Sequence, residues 1–259
     1  DSGKVYKYDF SSDPFSPDWV YPSSGTIGGV NSVTFETQSD GDDDVFCGTN
    51  GRDVYFLNDS NSGNPAWTGS DPAESVAATC EVYDGSSYYY AAGSCDNYVY
   101  LYTATGSLSW SYNAGNDVHF LCTIGNHLLA LTEKDFPVQG GFYLFTTSAL
   151  TGSKIFSGYY PTFACSSTDG LAAGEDGRFL VGFSDGYVRL YSYTVGATSI
   201  SISDPIYYSD IGSSIKFLFD LGDVENYGTI NPGNEWLAVD SSGVVYLISH
   251  DNVSAPDLE

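Results

Sequence analysis

The sequence predicts an all-β fold built from repeated four-stranded antiparallel sheets, and three features carry this prediction. A short sequence motif of alternating valine and tyrosine recurs every 43 to 57 residues along the 259-residue chain. Each recurrence is followed by further short runs of β-branched and aromatic residues that Gly, Asp, Asn or Ser delimit. No stretch shows apolar residues at the 3.6-residue period of an amphipathic helix.

The recurring motif defines the length of the repeat. Its equivalent positions are spaced by 49, 45, 43, 46 and 57 residues and are occupied by Tyr6, Tyr55, Tyr100, Tyr143, Arg189 and Tyr246. A second landmark follows about a dozen residues later, at Trp19, Trp67, Trp110 and Phe156. The chain therefore reads as a five-fold tandem repeat with a duplicated end.

Two apolar strands complete each unit. The first is predicted at residues 30–35, 76–82, 118–124, 162–165 and 215–221. The second follows a Gly, Asp or Asn turn and is predicted at residues 45–47, 88–92, 128–131, 179–183 and 235–239. Four short strands per unit indicate one antiparallel sheet per repeat.

Sheets of four strands that repeat at this spacing are typical of β-propeller blades, because radial stacking buries both faces of each sheet. We expect a single β-propeller domain over residues 1–259 with five blades, or six or more if the chain is a piece of a longer protein. The strand count is 21, one more than five blades need. Residues 4–8 and 244–248 would then compete for one position, so that one of them adds a fifth strand, lies loose or completes a neighbouring molecule.

A family resemblance rests on the second, third and fourth units. Residues 91–102, continued by 105–112, resemble the WD40-like and quinoprotein-like repeats of extracellular propellers. The resemblance implies the propeller fold and says little about function, since such propellers include scaffolds, ligand binders and a few dehydrogenases. A quinoprotein dehydrogenase would be expected to carry a vicinal Cys-Cys pair, which this sequence lacks.

Charge and composition exclude several classes of function. The chain has 33 acidic and 8 basic side chains, so its formal net charge of −25 excludes a nucleic-acid-binding surface. No apolar run reaches the length of a membrane span. The absence of Met, even at position 1, predicts a processed chain or a fragment, and a removed signal peptide would explain it. Together with acceptor patterns for N-glycosylation at Asn58 and Asn252, this predicts an extracellular or cell-surface glycoprotein.

The sequence contains few candidates for metal-binding or catalytic residues. Asp40, Asp42 and Asp44 alternate in an acidic turn and are weak candidates for Ca²⁺ ligands, with a solvated turn as the alternative. We predict no other cofactor. Cys80, Cys122 and Cys165 recur at matching strand positions and are expected to be buried thiols outside disulfides. No pattern of His, Ser or paired carboxylates indicates a catalytic centre, so we predict no catalytic residue.

The leading functional prediction is a non-catalytic protein-interaction or structural scaffold that self-assembles through its terminal strands. The residues predicted to carry the interaction are Lys4, Val5, Tyr6, Val244, Val245 and Tyr246. Adjacent tyrosines such as Tyr207 and Tyr208 put rings on opposite faces of a strand, and an exposed ring suits a sugar. A carbohydrate-binding propeller is therefore the first alternative, and a glycosidase or lyase the second.

Overall fold

The structure is a computed structural model that describes residues 3–8, 16–35, 43–133, 139–167, 173–222, 234–250 and 257–258. The regular structure in these ranges is β-strand, apart from one 3₁₀ turn at Asp59–Asn61. Within the same ranges, no helix is long and apolar enough to cross a membrane. Contacts divide the chain into two compact units, Asp1–Leu121 and Cys122–Glu259.

The described residues of the first unit form three sheets and the start of a fourth. Sheet 1 has two strands, sheets 2 and 3 have four each, and all pairs are antiparallel. Sheet 1 is formed by β1 (Val5–Lys7) and β2 (Trp19–Tyr21); sheet 2 by β3 (Val30–Phe35), β4 (Val45–Thr49), β5 (Val54–Asn58) and β6 (Asn64–Gly69); sheet 3 by β7 (Val76–Tyr83), β8 (Tyr88–Ser94), β9 (Tyr98–Thr103) and β10 (Leu108–Asn113); and sheet 4 begins with β11 (Asp117–Ile124).

The described residues of the second unit continue sheet 4 and form two more sheets, one of five strands and one of four. Sheet 4 continues with β12 (His127–Glu133), β13 (Gln139–Phe145) and β14 (Thr151–Ser157); sheet 5 contains β15 (Pro161–Ser167), β16 (Gly177–Phe183), β17 (Tyr187–Val195), β18 (Ile200–Ile202) and β19 (Tyr207–Asp210); and sheet 6 contains β20 (Ile215–Gly222), β21 (Asn234–Asp240), β22 (Val245–His250) and β23 (Asp257–Leu258).

The predicted strands are confirmed, but their number is not. The described residues form 23 strands instead of 21. One addition arises because β17 is nine residues long and pairs with β18 near its end and with β19 near its start, so the outer strand of sheet 5 is split in two. The other is β23, a two-residue strand on the outer side of β22.

The expected competition between the chain ends is not observed. Strand β1 pairs with β2 in sheet 1, whereas β22 lies between β21 and β23 in sheet 6. The terminal segments therefore occupy positions in different sheets.

Aromatic side chains pack sheet 2 against sheet 3. Phe46, Phe56, Tyr90 and Tyr102 are buried in one cluster, and the partly buried Trp67 packs against it. The rings of Phe56 and Trp67 stack at 5.5 Å with an interplanar angle of 5°. Because each ring buries a large apolar area, these contacts stabilise the packing of sheet 2 on sheet 3.

Glycines bring the sheets close together at one recurring position. A Cβ built on Gly93 in β8 would lie 2.6 Å from Cγ1 of Val118 in β11. Gly48 in β4 lies against Val76 in the same way, and in the second unit a Cβ on Gly182 would lie 2.5 Å from Cγ2 of Ile215. The second strand of each of these sheets therefore carries a glycine because the next sheet leaves no room for a side chain.

Candidate functional site

The repeat residues have a structural role that the sequence did not reveal. In four sheets of the described residues, the side chain of the repeat residue contacts an aspartate that lies at the end of the preceding strand or in the turn before its own strand. The contacts are Tyr100 Oη to Asp96 at 2.7 Å, Arg189 to Asp185 at 2.8 and 3.2 Å, Tyr246 Oη to Asp240 at 3.3 Å and Tyr55 Oη to Asp53 at 3.5 Å. An aspartate two to six residues before the repeat residue was the available signal.

These contacts change the acidity of the groups involved. Burial, and then the hydrogen bond to Asp96, raises the pKa of Tyr100 well above the ordinary tyrosine value. Burial and the Asp53 charge raise the pKa of Tyr55 to about 12. Hydrogen bonds from Ser242 first, and from backbone N–H groups, lower the pKa of Asp240 to about 2 although burial opposes the shift. The repeat residues thus secure turns, which is a role in stability.

Sheet 1 is fixed to sheet 2 by a compact polar cluster. The Lys7 ammonium lies 2.7 Å from Asp59 Oδ2 and 2.9 Å from Asp43 Oδ2. Trp19 Nε1 donates a hydrogen bond of 2.6 Å to Asp59 Oδ1. Burial alone would raise the pKa of Asp59, but the hydrogen bonds from Lys7 and Trp19 outweigh it and hold the pKa below the ordinary value. Burial alone would lower the pKa of Lys7, but its carboxylate partners raise it.

Apolar packing supports the same junction. Val5 and Trp19 are 8% and 7% exposed and share a cluster with Val45, Cys47 and Leu57 of sheet 2. The Trp19 ring lies against the backbone of Gly63, whose φ of +74° suits glycine. Strand β1 is therefore held in place on one face, although it has only three residues.

The other edge of β1 is open within the part of the chain that the structure describes. The carbonyls of Gly3 and Lys7 accept hydrogen bonds from the backbone N–H groups of Ile27 and Asp18, on the β2 side. Because main-chain groups alternate between the two edges of an antiparallel strand, the N–H and C=O of Tyr6 point away from β2. Among the described strands, β1 pairs only with β2, so this edge presents main-chain donors and acceptors.

A groove of about 580 Å³ lies along this edge. One side is residues 4–8, and another is formed by Val33 and Phe35 of β3. Val33 is 44% exposed, Phe35 67% and Tyr6 44%, which are large values for apolar strand residues. The rings of Tyr6 and Tyr8 stack at 6.4 Å. A strand edge beside exposed apolar side chains suits an extended polypeptide.

This groove contains three of the predicted interaction residues, Lys4, Val5 and Tyr6. The sequence did not identify Val33 and Phe35, because both lie in an inner strand that the repeat predicts to be covered. The other three predicted residues lie in sheet 6. Val244, just before β22, is 47% exposed, and Val245, its first residue, is 59% exposed. Tyr246 follows them, and its hydroxyl contacts Asp240.

The acidic turn is described only in part. Asp40 and Asp42 lie outside the described residues. Asp44 is 5% exposed, and its carboxylate accepts hydrogen bonds from the Asn58 side chain at 2.9 Å and from the Asp59 backbone at 2.6 Å. Within the described ranges, no group of three or more His, Cys, Asp or Glu side chains could hold a metal ion. A Ca²⁺ site at these three aspartates stays a prediction.

The first glycosylation candidate is built into a turn. The Asn58 side-chain nitrogen donates to Asp44, and its oxygen accepts from Ser60 Oγ at 2.6 Å and from Asn61 N at 3.0 Å. The amide therefore holds the ends of the 3₁₀ turn. Asn252 lies outside the described residues.

No disulfide joins the five cysteines, as the sequence predicted for the strand cysteines. Cys80 is buried, whereas Cys122 and Cys165 are only partly buried. Burial raises the pKa of the Cys47 thiol, and likewise that of Cys165, to about 12. Such thiols are almost entirely protonated at neutral pH and are poor nucleophiles.

The adjacent tyrosines alternate as predicted. Tyr207 is 6% exposed and packs against Trp236, and its neighbour Tyr208 is 64% exposed. The exposed ring is a surface available for contacts.

Comparison with known proteins shows the fold and no family. No protein-family model and no curated protein matches the chain. Solved structures do match, among them the crystal structure of BBS1N in complex with ARL6DN, soaked with lead. That structure is 16% identical in sequence, with a TM-score of 0.60 over 95% of this chain and 72% of that chain.

BBS1N is a β-propeller domain. Together with the antiparallel sheets that the described residues form, this likeness shows that the chain is an all-β protein of the β-propeller fold. An identity of this size shows the fold alone. The resemblance to WD40-like and quinoprotein-like repeats and the number of blades stay predictions.

Proposed function

We propose that this chain is a non-catalytic protein-interaction scaffold that binds its partners through the groove beside β1. The observation that carries the proposal is the open edge of β1 next to Val33 and Phe35. Exposed apolar side chains beside unpaired main-chain groups are unfavourable in water unless a partner covers them. The fold neighbour BBS1N was crystallised in complex with ARL6DN, which is consistent with protein binding by this fold.

Site-specific photo-crosslinking tests the proposal. A photoreactive phenylalanine analogue would replace Phe35 in one sample and Ile155 in another. Ile155 is a matched control because it is also an exposed strand residue, at 52%. We expect crosslinking to a partner protein at position 35 only. The purified partner should bind the native chain and should bind the Phe35→Ser variant more weakly. Equal crosslinking at both positions, or none at position 35, would contradict the proposal.

We further propose that the protein works outside the cell or on the cell surface. The acidic composition and the two acceptor asparagines support this location. A mass shift after enzymatic deglycosylation of protein from its natural source, lost in Asn58→Gln or Asn252→Gln variants, is the expected result. Unmodified asparagines in that material would remove the support.

Self-association through the terminal strands stays a prediction from the sequence. Light scattering tests it, because the monomer has a mass of 27.8 kDa and a self-assembling chain would show a multiple of that mass. Glycan binding through exposed rings such as Tyr208 stays a prediction that a glycan array tests with Tyr208→Ala as the control.

A further inference from the structure

We propose that the groove binds an extended strand of another protein, which pairs antiparallel with β1 and places a small apolar residue opposite Tyr6 and a carboxylate opposite Lys4. This inference rests on the proposed function and names the chemistry of the partner. It follows from a comparison of β1 with the equivalent strands of the other sheets.

Every other repeat residue has a strand on the edge that is open in β1. In sheets 2 to 6 that strand runs antiparallel to it, and the residue directly opposite is small or medium-sized and apolar. The opposite residues are Cys47, Ala92, Ala130, Val181 and Ala238. The repeat therefore specifies what belongs beside Tyr6: an apolar strand with little side-chain volume at that point.

Side chains of β3 that line the groove are exposed, whereas the equivalent position in sheet 3 is covered. Strand β7 is equivalent to β3, and its Thr79 occupies the position that Val33 occupies in β3, just after the irregularity in each ladder. Thr79 is 8% exposed, because Ser32 and Thr34 of β3 lie over it at 2.8 Å. Val33, at 44%, and Phe35, at 67%, have no such cover among the described strands. An added strand beside β1 would direct alternate side chains onto them.

Lys4 sets the charge of the partner. It lines the groove on the same side of β1 as Tyr6, two residues earlier in the chain. In an antiparallel ladder the residue opposite Lys4 comes two residues after the residue opposite Tyr6. Strand β21 has this spacing, with Ala238 opposite the repeat residue Tyr246 and Asp240 two residues later. A carboxylate at that position would pair with the Lys4 ammonium.

A folded second copy does not fit this role. The strands of the required type, β4, β8, β12, β16 and β21, already have a neighbour on both sides. A second copy could donate one only by opening its own sheet, and two chains of net charge −25 repel each other. Between a second copy and a different protein, the observations therefore favour a different protein that supplies an unpaired strand.

A peptide that copies β21, Asn234–Asp240, is the probe. Its binding to the isotope-labelled protein would be followed by NMR titration. We expect shifts at the amides of Tyr6 and Phe35, and at least ~10-fold weaker binding to Tyr6→Pro, which removes a main-chain donor from the open edge. A peptide with Ala238→Arg should bind at least ~10-fold more weakly as well. Tyr208→Ala, which removes an exposed ring from another sheet, should bind normally.

A charge exchange tests the register. Lys4→Glu should weaken binding by about 3- to 10-fold, and a peptide with Asp240→Lys should recover it on that variant. No shift at Tyr6, or no effect of Tyr6→Pro, would overturn strand addition. If Phe35→Ser still abolished binding of the crosslinked partner, the proposed function would survive that failure. A dimer that Tyr6→Pro dissociates would show instead that a second copy occupies the groove.

Discussion

The substitution Gly93→Ala tests whether the close approach of successive sheets stabilises the fold. Gly93 lies in β8, and the added methyl group would lie 2.6 Å from Val118 Cγ1 and 3.2 Å from both the Cβ and the carbonyl oxygen of Val118. Carbon atoms in contact normally lie about 3.5–4.0 Å apart. Sheets 3 and 4 would have to separate locally by about 1 Å, or Val118 would have to adopt another rotamer.

The expected loss follows from two opposing effects. Overpacking of a filled core costs about 1–3 kcal/mol. Replacing Gly by Ala restricts the unfolded chain and returns about 0.4–1 kcal/mol. We therefore expect the free energy of unfolding to fall by about 1–2 kcal/mol. For a chain of this size this corresponds to a decrease in melting temperature of about 2–8 °C.

Thermal and urea denaturation would measure the effect against a matched control. In Gly51→Ala the added Cβ would lie 3.4 Å from its nearest neighbour, the Ile27 carbonyl oxygen, so that variant should lose less than about 0.5 kcal/mol. The double variant Gly93→Ala with Val118→Ala should be more stable than the sum of the single changes predicts, because the second change removes the clashing methyl group. If Gly93→Ala were as stable as Gly51→Ala, or if the two changes were additive, the reasoning would be refuted.

Three further predictions concern titratable groups. Asp59→Asn should destabilise the protein by about 1 kcal/mol at pH 7 in urea denaturation. The difference from the wild type should shrink as the pH falls below 4. The reason is that the pKa of Asp59 is lowered in the folded state, so protonation removes this contribution from the wild type. The destabilising effect of Asp240→Asn should disappear as the pH falls from 4 to 2, since the folded pKa is about 2 and the wild type loses the same contribution on protonation. Cys47, with its pKa near 12, should react with a thiol reagent at pH 8 only after unfolding, whereas equal rates in native and denatured protein would contradict its burial.

The sequence predicted the order of strands well because the repeat made each unit a check on the others. Strand β3 was placed at its observed bounds, and the inner strands of the remaining sheets were placed within a few residues. The split between β18 and β19 was missed because both are short, and the residues between them give no repeat signal. Strand β23 was missed because two residues carry no detectable pattern.

The candidate site could be predicted only in part. Tyr6 was identified because it occupies a repeat position close to one end of the sequence. Val33 and Phe35 were not identified, because an apolar residue in an inner strand is predicted to be buried by the neighbouring sheet. The difference between equivalent positions was the available signal. Strand β7 has Thr79 where β3 has Val33, and Thr79 is covered by the hydroxyls of Ser32 and Thr34 of β3.

The short length of β1 determines which interactions would dominate binding at the groove. The open edge of three strand residues and their neighbours can form only a few main-chain hydrogen bonds, each worth about 0.5–1.5 kcal/mol net. Covering a largely exposed phenylalanine is worth about 1.5–3 kcal/mol, and Phe35 is 67% exposed. Burial of Phe35 would thus contribute as much as two ladder bonds. The main chain of β1, held by Lys7, Trp19 and Asp59, would then mainly set the direction and register of the bound strand.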